Sequence, residues 1–314
     1  MNASLIQRAS AAGALMLIFT IGSESAFAAY SWTEILIPSI GPLGACFGLN
    51  DKGQVAVQTP DGSNTGIYRG GIFTPLPPPP TGYTVSATGI NNGGTIVGSA
   101  VSPSDPTHEQ GFILIGSKYT FFSRPGWDRT EPRAIANSGL ITGSSYTSDL
   151  SVNAGFIYDA RTNTFTDATP PGSGTGFSIT QGMNAAGRIS GDGRLPDGTG
   201  RYAFIWQQGT RGQGNHALAP FLAQFRITDA GTAARGINDA GVVVGFTNSG
   251  VGFVGSDSRG FQLLIPPGGD AAGANVACEG INNFGQVVCT VTDPTGTIFR
   301  SFIGTPDAND QIDQ

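Results

Sequence analysis

The chain contains only two histidines and three cysteines in 314 residues, and that scarcity removes whole classes of local chemistry. There is no H-E-x-x-H for a zinc protease, no G-x-S-x-G nucleophile elbow and no C-x-x-C redox pair. Charge is scarce too, at 12% Asp, Glu, Lys and Arg with no Lys/Arg cluster, so the electrostatic footprint of a nucleic-acid or anionic-lipid binder is missing. No apolar run is long enough to cross a bilayer. Gly (48) and Pro (20) are abundant, and they make turns and interrupt helices. A hydrophobic share of 39% with 19 Phe is enough for a buried core, so the chain reads as folded and all-β.

The first 28 residues stand apart. Arg8 gives a positive start, Ala11 to Ile21 an apolar stretch too short to span a membrane, and Ala26-Phe27-Ala28 a small-x-small cleavage pattern. This pattern predicts a signal peptide over residues 1–28 and a single mature domain over residues 29–314, secreted or periplasmic. A retained membrane anchor would need a longer apolar run. Removing the segment takes away Arg8 and Glu24, one residue of each sign, and leaves the net charge at −6.

Six stretches share one spelling: GLNDKGQVAV (48–57), GINNGGTIVG (89–98), AIANSGLITG (134–143), GMNAAGRISG (182–191), GINDAGVVVG (236–245) and GINNFGQVVC (280–289). Their Asn position falls at 50, 91, 136 (an Ala), 184, 238 and 282, steps of 41, 45, 48, 54 and 44 residues, which is the period of propeller blades. Asn at the first turn position and Gly three residues later suit a type I turn followed by a left-handed residue, a three-residue hairpin loop with a bulge. Each copy is followed by an aromatic and aliphatic third strand, such as GFILIG (111–116) or GFIYDA (155–160). A fourth, Pro-ended strand follows in the first five copies, and the sixth lacks it. SWTEILIPSIG (31–41) has that missing spelling. The expectation is a six-bladed β-propeller of four-stranded blades, closed by the N-terminal strand (31–38) completing the C-terminal blade. A linear solenoid would need capping repeats and no such offset.

Through the G-[ILM]-N-x-x-G-x-[VI]-x-G core, repeated over nearly the whole mature chain, the sequence resembles the HAF repeat proteins, exported bacterial proteins named for a His-Ala-Phe element. Here that element keeps its Phe and loses its His, as at Gln110-Gly111-Phe112, Ala154-Gly155-Phe156, Tyr202-Ala203-Phe204 and Val251-Gly252-Phe253. The resemblance implies a propeller fold and export, and implies no shared activity.

The Asn-x-x-Gly turns fall on one end of such a ring and read as scaffold, which leaves the opposite, loop-rich end for recognition. Trp127, Arg129 and Glu131 lie in a predicted blade crossing there, with Tyr146, His108 and Arg194 in neighbouring loops. An aromatic beside Arg suits a sugar ring or a peptide, while the alternative has Trp127 packing over the blade junction. Three residues before each Asn position comes a second ring, Phe47, Thr88, Arg133, Gln181, Arg235 and Glu279. Arg133, Arg235 and Glu279 suit an anionic group or pairing among themselves.

Of the cysteines, Cys46 and Cys289 would face each other across the closing seam and form the candidate disulfide. In the bulged register Cys278 and Cys289 point to opposite sheet faces; three unpaired buried cysteines are the other possibility. The acidic tail at Asp307–Asp313 lacks the Gly a calcium loop needs, so no metal or cofactor is assigned beyond a possible structural calcium. The first functional reading is an exported, non-catalytic, monomeric recognition protein for a glycan, peptide or cell-envelope component. The alternative is a propeller hydrolase or lyase with a carboxylate or metal site at the channel mouth.

Overall fold

Each Asn-x-x-Gly turn folds as its spelling requires. Gly94 and Gly139, for example, take φ of +81° and +88°, the left-handed conformation that closes the hairpin loop. The amide of Gly94 donates to Asn91 O at 3.0 Å, and the Asn91 amide donates to Thr95 O at 3.1 Å. These contacts belong to a computed structural model that describes residues 29–39, 41, 43, 45–59, 61–168, 178–194, 201–207, 216–217, 232–256, 258–297 and 299–307. Segment 1–28, read above as a signal peptide, lies outside the described residues.

All 24 elements among the described residues are strands, in a β-propeller arrangement of antiparallel quartets. Strand β1 (Tyr30–Glu34) is the exception to chain order, because it joins the last quartet. The first quartet is β2 (Ala45–Leu49), β3 (Val55–Gln58), β4 (Thr65–Arg69) and β5 (Ile72–Pro75). The second is β6 (Thr84–Ile90), β7 (Ile96–Ser102), β8 (Asp105–Ile115) and β9 (Lys118–Phe122). The third is β10 (Arg129–Ile135), β11 (Leu140–Tyr146), β12 (Asn153–Asp159) and β13 (Thr164–Asp167). The fourth is β14 (Ser178–Met183), β15 (Arg188–Arg194), β16 (Arg201–Gln207) and β17 (His216–Ala217). The fifth is β18 (Thr232–Ile237), β19 (Val243–Thr247), β20 (Gly252–Ser256) and β21 (Gly260–Leu264). The last is β22 (Asn275–Ile281), β23 (Val287–Thr292) and β24 (Phe299–Pro306), completed by β1.

Six separate four-stranded sheets were expected, and this needs correction. Four quartets stand as separate sheets, but β6–β9 and β10–β13 share one eight-stranded sheet. Their only ladder contact is the parallel pair Arg129↔Glu109. The cause is the length of β8, 11 residues, whose start runs on beside the start of β10 so that the Glu109 amide donates to Asp128 O at 3.1 Å.

The N-terminal strand zips onto the tail. β1 pairs β24 antiparallel from Tyr30↔Pro306 to Glu34↔Phe302, and the Ile35 amide extends the contact to Ser301 O at 2.8 Å. Glu34 takes a two-point grip from Arg300, at 2.8 and 2.7 Å, across the same seam.

A feature with no counterpart in the expected register recurs in every inner hairpin: a one-residue shift just before the turn, between Pro132 and Ala134 or between Cys278 and Gly280, for instance. The extra residue of this bulge is the one three positions before the Asn slot. The small residue that follows lets the next blade come close. A Cβ added to Gly280 would stand 2.3 Å from Phe47 O, so the last inner strand runs directly against the first.

The Asn side chains then link the turns. Oδ1 of Asn50 accepts from the amides of Lys52 and Gln54 in its own turn, while its Nδ2 donates to Asn91 O at 2.9 Å in the next. Asn91 reaches Ala136 O, Asn184 reaches Asn238 O, Asn238 reaches Asn282 O, and Asn282 returns to Asn50 O at 3.2 Å. A second ladder runs through the following residue, from Asp51 N to Asn92 Oδ1 and round to Asn283 N on Asp51 Oδ1. Both ladders break between the third and fourth turns, where Ala136 and Ala185 lack the amide and the acceptor. Ala136→Asn and Ala185→Asp should each raise the stability by about 0.5–1.5 kcal/mol, the net worth of a hydrogen bond, in urea denaturation. An unchanged midpoint in the double variant would show that the ladders contribute nothing.

The core lies in the wedges between neighbouring quartets. The third-strand Phe of the repeat supplies its largest buried members, Phe112, Phe156, Phe204, Phe253 and Phe302. Six apolar clusters result, each drawing on two adjacent quartets; Phe156, for example, meets Val97 and Ile113 of the second.

The predicted Cys46–Cys289 bridge is not formed. Cys278 and Cys289 are joined instead, with Cα atoms 4.0 Å apart, and Cys46 is a buried free thiol whose pKa burial pushes up to about 12. The bulge explains the error, because one extra residue after Cys278 sets it directly opposite Cys289 and turns both side chains to the same face. Closing this 11-residue separation is worth about 3 kcal/mol in the chain-entropy model, so Cys278→Ser with Cys289→Ser should lose about that much in denaturant unfolding. A loss under about 1 kcal/mol would contradict the pairing.

Candidate functional site

The bulged residues line the axis. Phe47, Thr88, Arg133, Gln181, Arg235 and Glu279, one from each inner strand, surround a cavity of about 90 Å³. The bulge accounts for this: the extra residue has no partner in the ladder, so its side chain is released from the packed faces of the blade. Nε of Arg235 stands 3.6 Å from Glu279 Oε2, and its guanidinium lies 4.8 Å from the Phe246 ring. Thr88 is occupied in scaffold, donating to Pro132 O at 2.7 Å.

Toward the loop-rich end this ring opens into a cluster of charge. Arg133 Nη2 donates to Glu131 Oε2 at 2.9 Å, and Arg129 Nη1 lies 3.7 Å from Glu109 Oε2. Tyr146, directly opposite Arg129 in the ladder, lies near Arg133 and interacts with its charge. Asp192, fully buried on β15, interacts with Tyr146 as well. Burial holds the Glu131 carboxyl above the ordinary carboxylate range; Glu109 pushes the same way, while Arg133 and Arg129 only partly offset it. Burial likewise raises the Tyr146 hydroxyl. For Arg133 burial opposes the charge, but Glu131, Tyr146 and Glu279 outweigh it and hold the guanidinium protonated.

Arg133, Arg235 and Glu279 are therefore brought to one channel, with Arg129, Glu131 and Tyr146 grouped around Arg133. They sit on strands, where a crossing and a loop were expected for three of them: Arg129 and Glu131 on β10, Tyr146 on β11. Trp127 is drawn away. Its ring stacks on Arg124 at 5.2 Å, and Arg124 pairs with Asp167 and donates to Ala154 O and Gly155 O, tying the crossing to the third quartet. His108, on β8, lies beside Ser123 Oγ at 3.3 Å, and Arg194 is exposed at the end of β15. Glu109 and Asp192 were missed. Asp192 had a signal: eight residues after the Asn slot the other copies carry Gln58, Ser99, Ser144, Phe246 and Thr290, so it is the lone acid of its ring.

Several loops expected to be free for recognition are closed on themselves. In Thr147-x-Asp149-x-Ser151, Asp149 Oδ1 accepts from both flanking hydroxyls, and these bonds pull the carboxyl down to about 2. In Thr59-x-Asp61-x-Ser63, Asp61 Oδ1 accepts likewise from the Thr59 hydroxyl and from the Ser63 amide. Among the described residues, no group of three or more His, Cys, Asp and Glu side chains is arranged to hold a metal ion. No described helix is long and apolar enough to cross a membrane.

No protein-family model matches the chain, and no curated protein matches it. Among solved structures it is similar to a gluconolactonase of Xanthomonas campestris, with a TM-score of 0.55 at 11% identity over 90% of this chain and 92% of that one. A streptogramin B lyase matches with a TM-score of 0.46 at 9% identity, covering 91% of this chain and 100% of the other. A luciferin-regenerating enzyme gives 0.46 at 8% identity, covering 89% and 96%. At these identities the likeness is one of fold, and the first match carries it: the chain has a β-propeller arrangement.

Proposed function

We propose that the channel mouth on the loop-rich end is a catalytic site of hydrolase or lyase type, with Glu131 as its acid–base group. The observation that supports this most is the environment of Glu131, a carboxyl bonded to the channel-lining Arg133, whose proton affinity burial raises despite the opposing pull of that guanidinium. In its neutral form it donates to a departing oxygen. Ionised, it accepts a proton from water or from a carbon acid. Arg129 and Tyr146 stand where negative charge would develop. The propeller likeness to a gluconolactonase supports the reading at the level of fold alone. Non-catalytic recognition of a glycan, peptide or envelope component comes second, because its main contact residue, Trp127, is engaged with Arg124.

The same proposal takes the eight-stranded sheet as two blades, making the ring six-bladed, since the apolar clusters join each quartet to the next and return to the first only through all six. It also takes the chain as an exported single-domain protein of the HAF repeat type. The test is turnover of gluconolactone, p-nitrophenyl acetate and uronate-containing oligosaccharides. Hydrolysis or elimination that disappears in Glu131→Gln supports the site; turnover unaffected by that substitution, or binding of such ligands with no turnover, contradicts it.

A further inference from the structure

Three consecutive inner strands bring donor side chains to the lining of the channel cavity, Arg133, Gln181 and Arg235. Nε of Arg133 and Nε of Arg235 are both buried without a hydrogen-bond partner. Between them in the ring stands Gln181, 8% exposed and lining the same cavity. Buried donors in this state cost free energy unless an acceptor arrives. The opposite arc offers no such group, being Phe47 and Thr88, whose hydroxyl is already bonded, with Glu279 held beside Arg235. A cavity of about 90 Å³ admits a few waters or one carboxylate-sized group and is too small for a sugar ring.

We propose that this arc binds a small planar oxyanion, the carboxylate end of the substrate, between Arg133, Gln181 and Arg235. The inference rests on the catalytic reading of the mouth and narrows its substrate class: a carboxylate-bearing molecule, seated by its anionic end in the channel with its reacting bond at Glu131. Planar guanidinium and amide donors match the geometry of a carboxylate.

Sodium acetate is the probe, with sodium chloride at equal ionic strength as control, read on the arginine Nε–H resonances of the full-length protein. The Arg133 and Arg235 signals should shift and saturate with acetate alone. Gln181→Leu should weaken acetate about tenfold or more, the loss of one hydrogen bond to a charged group, and Arg235→Gln, which keeps an amide donor but removes the charge and the Nε, should do the same. Resonances that respond equally to both salts would leave a water-filled channel and overturn the site, as would unchanged affinity in both variants. The two readings separate in Glu131→Gln, which should keep acetate binding and lose turnover. Acetate binding without any turnover in the parent protein sinks the catalytic reading alone, and turnover without acetate binding sinks the oxyanion site alone.

Discussion

Phe156→Ala is expected to destabilise the protein by about 3–5 kcal/mol in denaturant unfolding, the cost of emptying a buried aromatic site in a core that cannot collapse to fill it. Phe156 is fully buried, packs edge-on to Phe165 at 5.4 Å, and joins the third quartet to Val97, Ile113 and Phe122 of the second. The blades around it are fixed at the inner turns by the Asn ladder and by backbone-to-backbone contact, so they cannot slide inward. Phe165→Ala, at a half-buried position on the outer strand β13, should cost clearly less. Equal losses at the two sites would show that the wedge between blades is not where the core lies.

The same Phe was visible in the sequence as the surviving letter of the His-Ala-Phe element, and its retention follows from packing alone. The turns were legible for a comparable reason: Asn and Gly at fixed spacing answer to local geometry, and every turn glycine takes the expected positive φ. The second bulge was not legible. It arises because the inner strand of each blade is pressed against its neighbour, a tertiary constraint that leaves only a Gly before the Ile as a trace. Missing it reversed the facing of Cys278, and so the disulfide was assigned to Cys46. The same bulge turns the residue three before the Asn into the channel, so the ring containing Arg133 and Arg235 was found by position in the repeat while its cause was not. Glu109 stayed hidden because its approach to Arg129 depends on the overrun of β8, which no local pattern records.

Glu131→Gln is expected to lower turnover by about 10²–10⁴-fold, the usual contribution of a positioned acid–base group, with little change in the affinity for substrate. The substitution keeps the volume and an acceptor for Arg133, so the fold should persist. It also has a signature in stability. The folded protein holds the Glu131 proton more tightly than the unfolded chain does, because burial raises the carboxyl from its ordinary 4.5. The resulting stabilisation is complete below the unfolded value and is lost as pH rises through the folded one. The parent protein should therefore lose stability relative to Glu131→Gln across the interval just above the ordinary carboxylate value. Parallel pH profiles would place Glu131 in solvent, without the environment that recommends it for catalysis.

Both expectations depend on a ring that is closed, because the cluster at the mouth draws on strands from the second quartet through the last. Amide hydrogen exchange of the β1 segment tests that closure most directly. The amides of Ser31, Thr33 and Ile35, which face β24, should exchange far more slowly than those of an unstructured peptide, as should the ladder amides of β23, an interior strand of the same blade. Exchange of Thr33 and Ile35 at the rate of an unstructured peptide, while β23 remains protected, would mean that the chain's beginning does not hold its end.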